Sequence, residues 1–538
     1  MTRIEKTTAR ADAALPTPRA PEDVPRAAAV SRRGVLAGAA ALAGGPVLLP
    51  SQAAGASRHS ASLGTAGAVG SAADQPWRHA VGDPRGSDIA VAVGRDREGR
   101  FGVMFKRLDA FGPPDNLLTN LAGRMGEPTS TNPRDLDNPR IPAGFTFLGQ
   151  FIDHDMTLDR TPIPEQNVDP HGLTNFDTPH FDLGSIYGGG PSADPALYEP
   201  DGSGRLRVVR NGEGVEDLPR TAGGTARIGD ARNDENLIVA QLHLLFLKFH
   251  NRCLTSGLAR NFAEAQRLTR WHFQWLIVHD YLAHIVGEDV VDRFLVEQGG
   301  KPRVRREHYK PKNPNRPMMP IEYSVAAFRF GHSMVRAAYL MNQRNGTVVA
   351  PMFGAEGSDL RGSRPLPARL EIDWRHFFDV PGQPTTARTQ SRLIDGKLSL
   401  PLFNLPPTVV SDPMVSLAQR NLVRGKRLGL PGGQQVAAAM GLTPLSNDDL
   451  DLPDPGNAGW AGKAPLWFYI LKETELANQG RRLGPVGGRL VAEVILGILD
   501  SDRDSYLHAR DAFRPAPPIA PSVGQFRMGD FIAFAQRG

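Results

Sequence analysis

The apolar residues of this chain recur mostly at intervals of three and four, which is the spacing of an amphipathic helix. In GFTFLGQFIDHD, a stripe that starts at Phe147 continues through Gln150 and Phe151 to His154. This i, i+3, i+4, i+7 pattern predicts a helix whose mainly apolar face ends in an ionisable side chain. Because that helix ends in Asp-His-Asp, the segment places three ionisable groups beside apolar ones, and burial of such groups requires partners.

Two further segments carry the same helical signal. NDENLIVAQLHLLFLKFHNRCL begins with Asn233, the predicted N-cap, followed by acidic residues and a long apolar body. EYSVAAFRFGHSMVRAAYL forms one helical stripe from Val325 to Val335, with His332 on it. Alternating β-branched runs are scarce. The pattern therefore predicts a mainly α protein, a single large helical domain with long irregular loops and few short strands.

Composition and charge exclude some classes of protein. With 40% hydrophobic and 22% charged residues among 538, the chain has the composition of an ordinary soluble globular protein. The formal net charge is +5, and residues 1–56 contribute +3 of it through seven Lys or Arg against four Asp or Glu. The remaining +2 is too small to indicate nucleic-acid binding.

The N-terminal segment has the features of an export signal. Arg32 and Arg33 precede a Gly-rich apolar run, Val35–Leu49, that is too short to form a stable membrane span. The small residues Ala54–Ala56 resemble a cleavage site. We predict a signal peptide over residues 1–56, of the twin-arginine type, with a general secretory signal as the alternative.

One cysteine is present, Cys253, which excludes an internal disulfide and any multi-cysteine metal site. The twin-arginine route exports proteins already folded in the cytoplasm, so an exported protein without disulfides is consistent with it. Residues 57–95 are rich in Gly, Ala and Ser and are predicted to be a flexible lead-in to the domain that occupies residues 96–538.

The Asp-His-Asp triplet divides between two faces of its helix. Because successive helical residues turn by about 100°, Asp153 and Asp155 point roughly 200° apart and cannot serve the same ligand. His154 shares a face with Gln150, four residues earlier. We expect the histidine to face a pocket that one acid flanks, while the other acid faces away toward a cation. A solvated acidic patch at a helix end is the alternative.

A candidate cation loop follows in TPHFDLGSIYG. It offers the Thr178 hydroxyl, the Asp182 carboxylate and turn carbonyls at alternate positions, the hard oxygen ligands that suit Ca²⁺. An Asx-type turn has the same composition, so the loop alone leaves both interpretations open.

The segment IGDARNDEN places Arg232 just before a predicted helix, with Glu235 in the first turn. An acid there can simply interact with the helix dipole, and the arginine can be a surface residue. Alternatively, a fixed guanidinium beside a histidine is the pair that heterolytic O–O cleavage requires, since the base moves a proton while the cation stabilises the departing oxygen.

A second histidine lies in AFRFGHS, where Arg329 precedes His332 by three residues on the same helical face. A histidine on an apolar stripe is more often a core residue than a ligand. A buried neutral imidazole is also the common axial ligand of haem iron. Such a ligand needs an acceptor for its other N–H, and Asn421 in RNLVRGKRLGLPG is a candidate.

These five motifs, in this order, resemble the animal-type haem peroxidases, the superfamily of myeloperoxidase, lactoperoxidase and peroxidasin, in a bacterial secreted branch. The resemblance extends from about Phe101 to near the C-terminus. Each motif is modest, but five in family order are highly specific. The resemblance implies that residues 96–538 form a haem peroxidase domain that binds haem b and Ca²⁺.

The resemblance also implies roles for the residues on the distal side of the haem. His154 would be the base and then the acid of peroxide cleavage, Arg232 the distal arginine, and Gln150 the residue that holds water or halide. Asp153 and Glu235 match the two acids that form ester bonds to haem methyl groups in this family.

On the proximal side, the resemblance makes His332 the iron ligand and Asn421 the acceptor of its N–H. Arg329 would pair with one haem propionate and Arg424 with the other.

For calcium, the resemblance implies a site formed by Asp155, Thr178, Asp182, the carbonyl of His180 and the carbonyl of Gly184. The family usually has serine at the last of these positions. We therefore expect a weaker or more hydrated site here.

The expected activity is reduction of hydrogen peroxide and oxidation of bromide, iodide, thiocyanate or phenolic donors through a ferryl intermediate. Asn236 replaces the methionine that makes a sulfonium link in myeloperoxidase, so strong chloride oxidation is not expected. One alternative is a haem fatty-acid dioxygenase of the same fold, but Arg329 occupies the position of the radical-forming tyrosine in those enzymes. Another is a secreted haem-binding protein with incidental activity, against which the pair of His154 and Arg232 argues.

Overall fold

The computed structural model describes residues 101–129, 133–157, 179–355, 357–383, 385, 387–410, 412–452 and 459–537. The predicted signal peptide, the predicted lead-in and Thr178 lie outside these residues. The rest of the predicted site lies within them.

Helices dominate the described residues, which confirms the predicted mainly α class. They are α1 Asp115–Arg124, α2 Gly144–Met156, α3 Gly184–Tyr187, α4 Leu237–Thr255, α5 Phe262–Leu276, α6 Ala283–Ile285, α7 Glu288–Phe294, α8 Leu417–Arg427, α9 Gly433–Ala439, α10 Leu466–Asn478, α11 Pro485–Ser501 and α12 Met528–Gln536. Among the described residues, no helix is both long and apolar enough to cross a bilayer.

The strands are short and pair two by two. They are β1 Phe101–Gly102, β2 Asp137–Pro142, β3 Val209–Arg210, β4 Glu216–Asp217, β5 Leu295–Gln298, β6 Lys301–Val304, β7 Met319–Pro320, β8 Ala338–Asn342, β9 Val348–Pro351 and β10 Gln390–Arg392. The pair β1–β7 is parallel, and the pairs β2–β10, β3–β4, β5–β6 and β8–β9 are antiparallel.

The core is built around α4, which is apolar on nearly every face, as expected of a fully buried helix. On one side Phe151 of α2 stacks on Phe246 of α4 at 4.6 Å between ring centroids. On another, Phe531 of α12 stacks on Phe249 of α4 at 4.2 Å. Offset aromatic contacts of this kind add to the hydrophobic effect, so α2 is held firmly against the centre of the molecule.

The predicted start of α4 is wrong by three residues. Asn236, not Asn233, is the N-cap, because its side chain accepts a hydrogen bond from the amide of Ile238 at 2.8 Å. Asn233 instead belongs to a separate 3₁₀ turn, Ala231–Asp234, which Asp230 caps. The side chain of Asn233 is thereby available for other contacts.

The predicted stripe from Val325 to Val335 does not form one regular helix. A π-helical turn, Glu322–Ala326, is followed by a 3₁₀ segment, Ala327–His332, and the chain then enters β8. The pairing of β8 with β9 begins at Ala338, just beyond the predicted stripe. In 3₁₀ geometry residues three apart lie directly above one another, so Arg329 and His332 still share a face.

Candidate active site

A cavity of about 110 Å³ lies between α2 and the segment that carries His332. From α2 it is lined by Gly149, Gln150 and Asp153, and from the opposite side by Arg329 and His332. Residues that are about 180 positions apart in the sequence thus meet around one space.

The close approach of α2 to the cavity wall depends on Gly149. A Cβ atom at this position would lie 2.5 Å from the hydroxyl oxygen of Tyr281, which also lines the cavity. No larger residue fits there without a shift of the helix or of the tyrosine. The glycine therefore fixes the distance between these two walls.

The two aspartates of α2 diverge, as the helical spacing predicts. Asp153 faces the cavity, and its carboxylate accepts a hydrogen bond from the Thr157 hydroxyl at 3.1 Å. Asp155 is fully buried on the other side, where it accepts from the amide of Leu183 at 2.8 Å and from the amide and hydroxyl of Ser185 at 3.3 Å. The two carboxylates serve different sites.

His154 is buried between α2 and the turn that contains Asn233. Its Nδ1 atom lies 2.9 Å from the Oδ1 atom of Asn233, an oxygen that can only accept, so in this orientation of the amide Nδ1 carries the proton. In the described part of the chain, Nε2 of His154 makes no hydrogen bond, and the ring is not among the residues that line the cavity. Burial, and then the charge of Arg232, lower the pKa of His154, which favours the neutral ring.

Arg232 is fixed by three groups. Its Nη2 atom lies 2.6 Å from the fully buried carboxylate of Asp230, and Nη2 also donates to the carbonyl of His154 at 2.8 Å. Nη1 donates to the carbonyl of Thr157. The guanidinium therefore sits at the C-terminal end of α2, where carbonyls are left without helical partners, and holds the turn against the helix.

The rest of this turn is also braced. Arg220 donates to the carboxylate of Asp234 through both Nη atoms, at 2.6 and 2.9 Å. The amide of Gly362 donates to the carbonyl of Glu235 at 2.9 Å. The Glu235 side chain itself is exposed. These contacts place the backbone of the Arg232 turn, while desolvation by its surroundings raises the pKa of the Glu235 carboxyl.

On the opposite side of the cavity His332 contacts Asn421 of α8. The Nδ2 atom of Asn421 lies 2.6 Å from Nδ1 of His332, so in the structure the amide donates to the ring. The resemblance implied the reverse direction. A 180° rotation of the amide exchanges its oxygen and nitrogen, and in that orientation Asn421 would accept from Nδ1 of His332 and leave Nε2 free to hold the haem iron.

The electrostatics of His332 suit a metal ligand. Burial, reinforced by the positive charge of Arg329, lowers the pKa of His332 to about 3, so the ring is neutral at physiological pH. Trp467 of α10 packs edge-on against it at 6.5 Å between centroids, and its Nε1 donates to the carbonyl of Arg329 at 3.1 Å. The 3₁₀ segment that carries both residues is thus anchored to α10.

The two arginines of the proximal side differ in position. Arg329 lines the cavity, and its Nε donates to the carbonyl of Ser324 at 3.0 Å. Arg424 is half-buried on α8, three residues beyond Asn421.

The described part of the predicted calcium site holds Asp155, His180, Asp182 and Gly184. The carboxylate of Asp182 accepts from the amide of Gly184 at 3.0 Å, the contact of an Asx turn. Within the described residues no group of three or more His, Cys, Asp or Glu side chains is arranged to hold a metal ion. The calcium assignment therefore stays a prediction.

Sequence reasoning did not identify three residues of this site. The local pattern predicts Asn233 as a helix cap, and the apolar stretch LHLLFL does not by itself distinguish His243, which contacts Asn233. Asp230, the partner of Arg232, was also missed. The available signal was a histidine within an otherwise apolar helix, because a buried polar group requires a partner.

The cavity fits a haem group by the chemistry of its walls. It presents a neutral imidazole at His332 and a cationic side chain at Arg329, together with apolar surface from Phe328 and Val335. An axial imidazole, a cation for a carboxylate of the macrocycle and an apolar wall are the groups that haem binding uses.

Comparisons with known sequences point to the same family. The family model described as animal haem peroxidase matches residues 140–452, more than half of the chain. Thyroid peroxidase of Rattus norvegicus is 25% identical over 391 residues, which covers 63% of this chain and 39% of that protein. Peroxidasin of Drosophila melanogaster is 23% identical over 303 residues, 52% of this chain and 18% of that protein. The chain therefore spans about two fifths or less of the length of these relatives.

Solved structures share the fold. Peroxidase A from Dictyostelium discoideum superimposes with a TM-score of 0.55 at 16% identity, over 77% of this chain and 88% of that one. A fatty acid α-dioxygenase from Arabidopsis thaliana gives 0.53 at 14%, over 78% and 75%. At these identities the likeness concerns the fold alone. Together with the family match over residues 140–452, these findings show that the chain belongs to the animal haem peroxidase family and that its cofactor is haem.

Proposed function

We propose that this protein is a haem peroxidase that reduces hydrogen peroxide and oxidises small anions or phenolic donors. The observation that carries the proposal is the convergence on one cavity of His332 and Arg329 with Gln150 and Asp153, the neighbours of His154 on α2. When bound, haem supplies the iron at which peroxide is reduced and stores the oxidising equivalents that a donor later receives.

Proton movement is the part that this chain performs. With Nδ1 of His154 donating to Asn233, the lone pair of Nε2 remains to take a proton from hydrogen peroxide and return it to the oxygen that leaves as water. Arg232, whose Nη2 donates to the carbonyl of His154, would stabilise negative charge on that oxygen. Its contacts with Asp230 and two carbonyls hold the cation in place before the reaction.

Gln150 and Asn236 indicate which electron donors the protein oxidises. Gln150 lines the cavity and offers an amide donor to a water or halide. Asn236 contacts the Met352 sulfur at 3.6 Å and contributes no sulfur of its own at the position of the sulfonium link. We therefore propose bromide, iodide, thiocyanate or phenols as donors, and we do not expect strong chloride oxidation.

Covalent haem attachment and calcium binding are further parts of the proposal. Asp153 faces the cavity, whereas Glu235 lies in the turn that carries Arg232 and is not among the lining residues; both remain candidates for ester bonds. Asp155 and Asp182 remain candidates for calcium, with Thr178 and the carbonyls of His180 and Gly184. Acid–acetone extraction of peroxide-treated holoprotein tests the esters, since release of all haem would contradict them.

We also propose that the protein is exported, and this part of the proposal rests on the sequence alone. The paired arginines and the apolar run that follows support a twin-arginine signal and a secreted protein of a bacterial branch. Replacement of Arg32 and Arg33 by lysine, followed by fractionation of the producing cell, tests this. Unchanged export would contradict the twin-arginine route.

A fatty acid dioxygenase is the competing function because the fold also occurs there. Arg329 stands where that activity would need a tyrosine, and Tyr323 packs against Phe328 at 4.8 Å with its hydroxyl buried and without a partner in the described residues. Tyr281 does line the cavity, but from the segment that follows α5. Oxygen uptake with a long-chain fatty acid, measured beside bromide and guaiacol oxidation, distinguishes the two functions.

The decisive experiment compares His154→Gln with His508→Gln in the haem-loaded protein. His508 is exposed near the C-terminus and serves as the matched control. Loss of a general acid–base group costs on the order of 100-fold or more in rate. We expect that loss of peroxide-dependent bromide or guaiacol oxidation in His154→Gln and a wild-type rate in the control. Equal rates in all three proteins would favour simple haem binding.

A further inference from the structure

We propose that Asn233 and His243 act as a positioning relay that determines which ring nitrogen of His154 carries the proton. The relay is a feature of the protein scaffold, and its catalytic meaning rests on the proposed peroxidase function. Neither residue touches the reacting atoms, so both are positioning residues.

The relay consists of three side chains in series. The Asn233 amide has its Oδ1 atom 2.9 Å from Nδ1 of His154 and its Nδ2 atom 3.0 Å from Nδ1 of His243. Asn233 and His243 are both fully buried. Without competition from water, these two hydrogen bonds decide how the amide is oriented.

The chemistry of an amide allows two arrangements of the protons. In the observed one, Nδ2 of Asn233 donates to Nδ1 of His243, and Oδ1 accepts the Nδ1 proton of His154. Nε2 of His154 then has a lone pair. In the other, the amide is rotated, His243 donates from Nδ1 and Asn233 donates to Nδ1 of His154, which moves the His154 proton to Nε2.

Only the observed arrangement allows His154 to accept a proton from peroxide. In the rotated arrangement Nε2 already carries a hydrogen, and Nδ1 faces an amide N–H that would repel a second proton on the ring. In the observed one, a ring that has gained a proton at Nε2 keeps its Nδ1–H bonded to Asn233. The orientation of one amide therefore separates an active from an inactive distal histidine.

The polar contact of His243 in the described part of the chain is with Asn233. The Nε2 atom of His243 is buried and makes no hydrogen bond within the described residues. Phe151, on the same helix as His154, packs edge-on against the ring at 6.4 Å. A buried histidine with an unsatisfied nitrogen costs stability relative to an apolar residue, which indicates that the contact with Asn233 is what it provides.

The position of Asn233 in the chain links the relay to the arginine. Asn233 directly follows Arg232 in the 3₁₀ turn that Asp230 caps. The same turn therefore orients the base, through the amide, and holds the cation, through the ion pair with Asp230. Because Asn236, and not Asn233, caps α4, the Asn233 side chain is available to bond to His154.

The test uses variants that keep or remove the acceptor for Nδ2. His243→Leu removes it, whereas His243→Asn retains an oxygen near the position of Nδ1. Thermal melts establish that each variant is folded. The spectroscopic readout is ¹⁵N NMR of histidine side chains in protein loaded with zinc protoporphyrin, which is diamagnetic and reports the protonated nitrogen of His154 without turnover.

We expect wild type and His243→Asn to show His154 protonated at Nδ1 and bare at Nε2, and His243→Leu to show a mixture of both forms. In the haem-loaded protein, His243→Leu should slow the reaction with peroxide by roughly 10- to 100-fold, the usual effect of losing such an outer contact. His243→Asn should recover most of that rate. Asn233→Ala, which removes both bonds, should behave like His243→Leu.

Two results would overturn the relay: a wild-type His154 protonated at Nε2, or a His243→Leu protein with unchanged NMR signals and peroxide rate. A third result separates the relay from the proposed function. If the zinc-loaded proteins show the expected tautomers but the haem-loaded wild type oxidises no donor, the relay is supported and the peroxidase proposal is contradicted.

Discussion

Oδ1 of Asn233 accepts a hydrogen bond from Nδ1 of His154 at 2.9 Å, although 79 residues separate them in the chain. This single contact joins the helix that borders the cavity to the turn that carries Arg232. In the observed orientation of the amide, it selects one of the two neutral tautomers of His154, the one with the proton on Nδ1. The predictions below concern the groups that hold this arrangement and the opposite wall of the cavity.

The ion pair between Arg232 and Asp230 should contribute strongly to the stability of the fold. Asp230→Asn leaves the Arg232 guanidinium, 15% exposed, beside a neutral partner. Loss of one member of a buried pair costs about 3–5 kcal/mol, so we expect a lower urea midpoint with an unchanged m-value. Peroxide turnover should fall as well. Asp201→Asn is the control because its pair with Arg205 is exposed. Equal midpoints for the two variants would contradict the role given to Asp230.

A methyl group at Gly149 should separate the cavity walls. Gly149→Ala would place Cβ 2.5 Å from the Tyr281 hydroxyl, and we expect a lower melting temperature and weaker retention of haem. Gly123 in α1 is the matched control, since its Cβ would meet nothing within 4 Å. Gly123→Ala should stabilise the protein by about 0.5–1 kcal/mol, the ordinary effect in a helix. If Gly149→Ala also stabilises it, the close approach is not rigid.

The contact between Asn421 and His332 should tune the iron ligand. Asn421→Leu removes the partner of Nδ1, and we expect a weaker iron–histidine bond, visible as a lower iron–histidine stretching frequency in resonance Raman spectra. His332→Ala should abolish normal axial ligation. Gln419→Leu is the control, because Gln419 lies on the same helix and bonds to exposed Thr119. An identical frequency in Asn421→Leu and wild type would exclude the contact.

Buried histidines outside the site should make the fold sensitive to acid. Burial lowers the pKa of His250 and of His272 to about 4 from the ordinary 6.5. Between these pH values the unfolded chain binds more protons than the folded one, so stability is full above about pH 6.5 and declines as the pH falls toward 4. Each group contributes a slope of about 1.4 kcal/mol per pH unit. His272→Leu should flatten the dependence of the unfolding free energy on pH, and an unchanged slope would contradict a neutral buried ring.

Removal of calcium should discriminate the metal site from a simple turn. If Asp155 binds Ca²⁺, EGTA should lower the melting temperature of wild type and leave that of Asp155→Asn unaltered, since bound ligand stabilises only the folded state. If Asp155 serves only the amides of Leu183 and Ser185, EGTA should change neither protein. Addition of Mg²⁺ in place of Ca²⁺ controls for ionic strength.

The sequence by itself determined the mainly α class, the helix that carries Gln150 and His154, and the chemical types at the site. Helical spacing placed Gln150 and His154 on one face and sent Asp153 and Asp155 to different sides, because the turn per residue is fixed by backbone geometry. The order of the motifs indicated the family that the match over residues 140–452 shows. These are local properties, and each can be read within one or two turns of chain.

Only the tertiary structure decided which side chains meet. The Asn233 side chain could cap a helix or contact a histidine, and the competing cap at Asn236 resolved the choice. The partner of His332 lies 89 residues away, and the chain beyond His332 enters β8, which pairs with β9. Such contacts depend on the packing of distant segments against one core, where burial makes a polar partner obligatory but does not say from which segment it comes.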